Sequence, residues 1–256
     1  MLARLIAEMR RSLNRRARHD NGTTPPVQRT SDPGAMLVSL LREPLAHPKN
    51  FNYETVAWMA AATQSADYMV RHMMGANNLI SRMALLGYAI EQCSVPGMML
   101  EFGVYRGMSL IEIARRSAQT VHGFDSFEGL PEDWTYYQKQ GRFGLEGAVP
   151  KFEQKNIELH TGWFDATLPP FLQSHPGPAR FVHIDCDLYS STRTALEQLA
   201  ERLVAGTVIV FDEYLNYPGW EQHEFRAFQE FVESNGTKYR YIGFASMDSS
   251  VAVKVI

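Results

Sequence analysis

The sequence predicts an α/β fold: a doubly wound, mostly parallel sheet whose last strand is reversed. Three observations carry this. From Pro96 onward, short and mostly apolar runs alternate with helix-patterned stretches, as expected for strands covered on both faces. The polar residues that stand out fall just beyond the carboxyl ends of those runs. The chain then closes with two β-patterned runs, Tyr239–Phe244 and Val251–Val255, joined by Met247-Asp248-Ser249-Ser250. That junction is short enough for an antiparallel hairpin.

The remaining strands are expected at Met98–Phe102, Val121–Phe124, Ile157–Thr161, Phe181–Ile184 and Thr207–Phe211. Helices are expected at Ser109–Ser117, Thr192–Arg202 and Gln222–Ser234. Ahead of the sheet, Tyr53–Gln92 reads as helical, with Met69, Met73 and Met74 on one turn-spaced stripe and Ile80, Met83, Ala84 and Leu86 on another. A methionine stripe serves as core or lines an apolar pocket. Asp20–Pro33 is rich in Asn, Gly, Thr, Pro and Ser without periodicity, which reads as a linker or loop. The arginine-rich first twenty residues place Leu2, Leu5, Ile6, Met9 and Leu13 at helical spacing. They read as a membrane-surface helix, or as a terminal helix that docks on the body or pairs subunits into a homo-oligomer. The expected organisation is an N-terminal amphipathic helix and linker (1–50), a helical cap (51–96) and a sheet domain (97–256).

Composition narrows the function classes. The formal net charge of −3 argues against a nucleic-acid binder. No run approaches the roughly 18 apolar residues of a membrane span. The first helix lacks the long apolar core and cleavage site of a secretory signal. The two cysteines, Cys93 and Cys186, have no metal-ligand spacing. A cytoplasmic, reducing setting is the expectation.

Five strand ends carry polar groups: Glu101 and Gly103; Asp125 and Ser126; Gly162 and Trp163; Asp185 and Asp187; Asp212 and Glu213. In a doubly wound sheet those ends converge on one crevice. The first of them, LEFGVYRGMSLIEIA, joins an acid to a glycine turn and a helix start. Such a turn offers backbone N–H groups and close approach. A phosphate ligand would not favour an acid before the turn; a cationic, amine-bearing one would. Asp125 stands where an acid accepts ribose hydroxyls in dinucleotide folds. Together these features suit S-adenosylmethionine, with its sulfonium, amino group and ribose. A dinucleotide fingerprint would read G-x-G-x-x-G, whereas this turn reads G-V-Y-R-G.

The segments EFGVYRGMS, GFDSFEGLPE, GWFDATLP, HIDCDLYSST and VIVFDEY resemble the macrocin O-methyltransferase family of class I S-adenosylmethionine-dependent methyltransferases. The resemblance covers roughly Met98 to Ile256. It implies a Rossmann-like, mostly parallel seven-stranded sheet and methyl transfer to a hydroxyl of a small-molecule acceptor, usually a sugar of a natural product, often with magnesium. Carried over, Glu101, Gly103, Val104, Tyr105, Gly107 and Ser109 form the first cofactor motif. Asp125 and Ser126 form the ribose segment, with Phe127 against the adenine, and Gly162 and Trp163 line the adenine side. Asp185, Asp212 and Glu213 match the metal carboxylates, Asp185 also bordering the cofactor. Asp187 matches the general base of some members. The departure is Glu213, where many relatives have a second aspartate.

The metal reading also follows from charge. Three crowded carboxylates repel unless a cation or shared proton relieves them, and magnesium accepts such oxygens while keeping waters for substrate hydroxyls. Each residue has a blander role beside the functional one. Asp125 caps a helix, Asp187 belongs to a turn or cap, Glu213 is a surface acid, and Trp163 and Trp220 are packing aromatics. His183 is expected to face the sheet interior, His223 to contact substrate or act as base, and Cys186 to be a small buried residue. The long connection Glu132–Lys155 is either a lid or an inserted helix packed on the sheet. Against metal-assisted O-methylation stand a metal-independent amine or carboxyl methyltransferase, an NAD-binding oxidoreductase and a non-catalytic module.

Overall fold

A computed structural model of the chain describes residues 52–256. The amphipathic helix and linker expected over residues 1–50 lie outside the described residues. In chain order the elements begin with α1 (Tyr53–His72), β1 (Asn77–Leu79), α2 (Arg82–Gln92), β2 (Met98–Phe102), α3 (Met108–Arg116), β3 (Val121–Asp125) and β4 (Ile157–Thr161). There follow α4 (Phe164–Ser174), β5 (Ala179–Ile184), α5 (Tyr189–Leu199), β6 (Val208–Phe211), α6 (Glu224–Asn235), β7 (Tyr239–Ala245) and β8 (Val251–Val255).

The strands form one sheet in the order β1-β7-β8-β6-β5-β2-β3-β4. Every neighbouring pair is parallel except those made by β8, which runs antiparallel to β6 and β7. The chain enters the sheet's centre at β2, winds outward through β3 and β4, then returns to β5 and β6 on the other side. That reversal opens a crevice at the carboxyl ends of β2 and β5. Alternate residues of each strand feed separate core layers. Leu100, Phe102, Val182, Ile184, Ile209 and Phe211 belong to one layer, Met99, Phe181, Val208 and Val210 to the other. Helices α4, α5 and α6 pack on one another in succession, and α2 packs on α3, β6, β7 and β8. Helix α2, read from sequence as part of a cap, thus lies in the sheet's own helix layer, within a unit spanning Tyr53–Ile256.

The sheet has eight strands rather than seven. The extra one, β1, interrupts the stretch read as continuous helix and pairs with β7. Its three residues are mostly exposed and carry no periodic signal. Ser81 restarts the helix by accepting a hydrogen bond from the Ala84 amide at 3.3 Å, an N-cap. The methionine stripe is core rather than pocket wall: Met73 is buried and Met69 packs beside it, while Met74 is exposed. Helix α4 was absent from the expected elements, because Pro169 and Pro170 inside it read as breakers. Among the described residues no helix is long and apolar enough to cross a membrane.

Candidate active site

The turn after β2 is built from its backbone outward. Gly103 and Gly107 have φ of 88° and 78°, which favours glycine. A Cβ on Gly103 would lie 1.7 Å from the Asp185 carbonyl oxygen, and one on Gly107 would lie 2.4 Å from the Phe152 ring. Both glycines therefore serve close packing inside the protein. Asp125 fixes the turn from the neighbouring strand. Its Oδ2 accepts from the Val104 and Tyr105 amides, each at 2.8 Å, and its Oδ1 accepts from the Phe127 amide at 2.7 Å. No helix follows Asp125, so it is a clamp for the glycine turn rather than a helix cap.

Behind the turn lies a buried pair. Glu101 Oε1 meets His183 Nδ1 at 2.8 Å across adjacent strands. Both side chains are excluded from solvent. Burial pushes the Glu101 carboxyl up from its ordinary range, and the His183 hydrogen bond opposes that rise. Glu101 does not line the cleft. The expectation that it faces the cofactor is corrected, because its side chain points into the layer between the sheet and α3, where its Oε2 has no hydrogen-bond partner.

Past the ends of β5 and β6 the acids gather. Carboxylate oxygens of Asp185, Asp187 and Glu213 lie within 4.8 Å of one another. Burial, then the charge of Asp212, raises the pKa of all three, and Asp187 is pushed up to about 7. Asp187 has φ of 62°, and the Leu188 amide donates to the Cys186 carbonyl at 2.6 Å across it. This is a strained three-residue turn, a kind of strain that clusters at functional sites. Glu224, at the start of α6, holds the arrangement. Its two oxygens accept from the Asp187 and Glu213 amides at 3.2 and 3.1 Å.

Asp212 differs from its neighbours. Arg82 Nη1 stands 2.5 Å from its Oδ2, and the Ser250 hydroxyl donates to its Oδ1 at 2.9 Å. Asp212 is already compensated within the chain, whereas Glu213 Oε2 is buried without a partner.

These groups open into one cleft of about 790 Å³, inside the roughly 300–1,000 Å³ of small-molecule sites. Its aromatic walls come from Trp58, Trp134, Tyr137, Phe143, Trp163 and Tyr217. The segment Glu132–Lys155 carries neither helix nor strand, so the inserted-helix alternative fails. It is tethered to two helices: Ser190 of α5 donates to Glu132 at 2.5 Å and the Tyr136 hydroxyl donates to Glu54 of α1.

The Macrocin-O-methyltransferase (TylF) family matches residues 61–238. The chain belongs to the macrocin O-methyltransferase family. A curated relative, the 8-demethyl-8-(2,3-dimethoxy-alpha-L-rhamnosyl)-tetracenomycin-C 4'-O-methyltransferase of Streptomyces olivaceus, is 31% identical over 163 residues. That match covers 53% of this chain and 60% of the relative. Two solved structures share the fold at 20% identity and a TM-score of 0.53. The calicheamicin methyltransferase CalS11 matches over 92% of this chain and 98% of its own. The O-methyltransferase NovP matches over 78% of this chain and 98% of its own.

In this macrocin O-methyltransferase family member, the cleft is lined by Gly103, Val104, Tyr105, Gly107, Ser109, Asp125, Ser126, Trp163, Asp185, Asp187, Asp212 and Glu213. The structure brings these sequence-expected residues together. Glu101, Phe127 and Gly162 do not line the cleft. Phe127 is buried in the core with φ of 59°, so its ring is not positioned against a ligand in the cleft. Gly162 acts through its backbone, its amide donating to the Asp125 carbonyl at 2.9 Å. Trp220 is buried against Tyr68 and Phe225, which is the packing role. Cys186 is buried, and burial followed by the Glu224 charge raises its thiol pKa, as befits a small core residue. His183 faces the interior, and His223 packs beside Trp134 and Tyr217 without lining the cleft. Sequence reasoning missed Arg82 and Glu224. Glu224 had a faint signal, an acid opening the helix after the acidic pair; Arg82 had none.

Proposed function

We propose that this protein is an S-adenosylmethionine-dependent O-methyltransferase whose acceptor is a hydroxyl on the sugar of a small natural product, assisted by a divalent cation. One observation carries the reading. The carboxylates beyond β5 and β6 open into the same cleft as the turn clamped by Asp125. The cofactor fits the donor set: an acid-floored cleft suits a sulfonium and an amino group and repels phosphate. When bound, S-adenosylmethionine supplies an electrophilic methyl group. The residues that would hold it are the Gly103–Gly107 turn, Ser109, Asp125, Ser126 and Trp163.

A divalent cation also fits, because the orphaned Glu213 Oε2 and the mutual repulsion around it call for positive charge. Asp185 and Glu213 would hold it, with Asp212 available when Arg82 withdraws. Such a cation supplies Lewis acidity toward an acceptor oxygen. Asp187 is the base. Its carboxylate takes the hydroxyl proton as a general base. Glu224 positions it through the backbone. The aromatic walls orient the acceptor and exclude water, and alignment supplies much of the rate of an in-line transfer. Segment 132–155 closes over the bound pair.

The sugar acceptor rests on the Streptomyces relative, whose name specifies a rhamnosyl 4'-hydroxyl. A second reading draws on the Arg82–Asp212 ion pair: Arg82 is the cluster's permanent cation and the enzyme works without metal, on an amine or carboxylate. Family membership counts against the nicotinamide alternative. The test is incubation with S-adenosylmethionine and a panel of deoxysugar glycosides, amines and carboxylic acids, with magnesium or with EDTA. A methylated glycoside that disappears with EDTA supports the proposal. Transfer to an amine or acid that survives EDTA supports the second reading, and binding of NAD in place of S-adenosylhomocysteine contradicts both.

A further inference from the structure

Away from the cleft, against Phe171 of α4, three metal-ligating side chains face one another. His122 lies on β3, and Glu158 and His160 lie on the edge strand β4. The register pairs His122 with Glu158 and Phe124 with His160, so all three project from the same face. His122 Nδ1 and His160 Nε2 are 3.2 Å apart. A Glu158 carboxylate oxygen lies 3.8 Å from the first, and the other lies 4.0 Å from the second. None of the three lines the cleft.

We propose that His122, His160 and Glu158 form a binding site for a divalent transition-metal ion of the zinc class, which staples the edge strand β4 to β3. Tetrahedral zinc with nitrogen ligands at about 2.0–2.1 Å sets them about 3.3 Å apart, close to the separation found. The carboxylate needs only a small inward movement, and it is half exposed and free to make it. Three protein ligands leave a fourth position for water. Imidazole with carboxylate suits zinc, cobalt or nickel better than magnesium.

The surroundings prepare the ligands. Burial first and then the neighbouring imidazole lower the His122 pKa to about 4, and burial lowers that of His160. Both rings are therefore neutral near pH 7, the state that ligates. Rings hold them in place: Phe124 stacks on His160 at 4.5 Å, and the edge of Phe171 meets both imidazoles at 4.8 Å. His175 stands beside His122 at 5.1 Å, its Nδ1 engaged by the Phe171 carbonyl and the Ser174 hydroxyl. A hydrogen bond between two imidazoles accounts for one contact; it does not account for the Glu158 carboxylate drawn to both. The staple also has a consequence for the cleft, because β4 leads directly into Gly162 and Trp163.

The test is a titration of the full chain with Co²⁺, read by visible absorption and calorimetry, followed by displacement with Zn²⁺. Wild type should develop an intense tetrahedral visible band that saturates at one equivalent, distinct from the weakly absorbing, oxygen-ligated Co²⁺ of the cleft acids. His160→Gln should abolish the band. Glu158→Gln, at a half-exposed position that the fold tolerates, should weaken binding at least about tenfold, since even outer partners of metal ligands cost 10–100-fold. Glu213→Gln should leave the band intact. No band in wild type, a band that survives both His160→Gln and Glu158→Gln, or a band lost in Glu213→Gln would overturn the proposal.

Discussion

Two sets of charged residues cross the same strands, and they are built on opposite terms. In the interior, Glu101 of β2 faces His183 of β5 at 2.8 Å. Just beyond the strand ends, Asp185, Asp187 and Glu213 crowd together with no cation in the group. The interior acid was given its partner by the chain. At Glu101 the His183 hydrogen bond opposes the rise that burial brings, whereas at Asp185, Asp187 and Glu213 the charge of Asp212 adds to it, which leaves these acids to be neutralised by protons or by a ligand. Asp212 stands between the two, with Arg82 and Ser250 on one side and His183 Nε2 at 4.0 Å on the other. A carboxylate paired within the fold is a structural element. One left unpaired at a crevice is chemistry in waiting.

The comparison is broken most forcefully at its two extremes. Asp187→Asn should lower kcat by about 10²–10⁴, the usual contribution of a general base, with the fold retained. Asparagine tolerates the left-handed backbone of this position, so circular dichroism should match wild type. His183→Ala should do the reverse. It strands Glu101 in the core and should cost about 3–5 kcal/mol in denaturant unfolding, as breaking a buried pair does. A loss under about 1 kcal/mol would mean that the Glu101–His183 pair carries little of the fold.

Smaller effects sharpen the picture. Asp125→Ala removes the acceptor of three backbone amides. Affinity for S-adenosylhomocysteine should fall roughly 10–100-fold, taking about 1.5–3 kcal/mol for charge-assisted bonds. The smallest effect is one of pH. Asp187 has a folded pKa of about 7, above the roughly 3.9 of an unfolded aspartate. The acid therefore contributes stability that is fully present below about pH 4 and lost as pH rises through 7. Relative to wild type, Asp187→Asn should gain melting temperature by a few degrees between pH 5 and 8. A difference that stays flat would remove the crowding argument.

Much of this was legible in the sequence, for a physical reason. Strands buried on both faces are mostly apolar, so β2, β3, β5 and β6 announce themselves despite the polar residues Glu101, His122 and His183. A doubly wound sheet sends its carboxyl ends to one crevice, so Asp125, Asp185, Asp187 and Asp212 could be grouped before any coordinates. What stayed hidden depended on contacts distant in the chain. Arg82 reaches Asp212 across 130 residues, and no local pattern marks it. An acid before a glycine turn suits a cationic ligand, which points Glu101 at the cofactor; only the register with His183 puts it in the core. Strand β1 was too short to be periodic, and the prolines of α4 hid its helix.

The central claim is that the cleft acids, and not the interior pair, are completed by a cation. The most direct measurement is a calorimetric titration of the S-adenosylhomocysteine-loaded protein with Mg²⁺, in wild type and in Glu213→Gln. The account predicts one equivalent bound by wild type and at least a tenfold weaker heat-derived affinity in the variant, in line with about 1.4 kcal/mol per decade. No Mg²⁺ heat in wild type, or the same affinity in both proteins, would contradict it and leave Arg82 as the cluster's own cation.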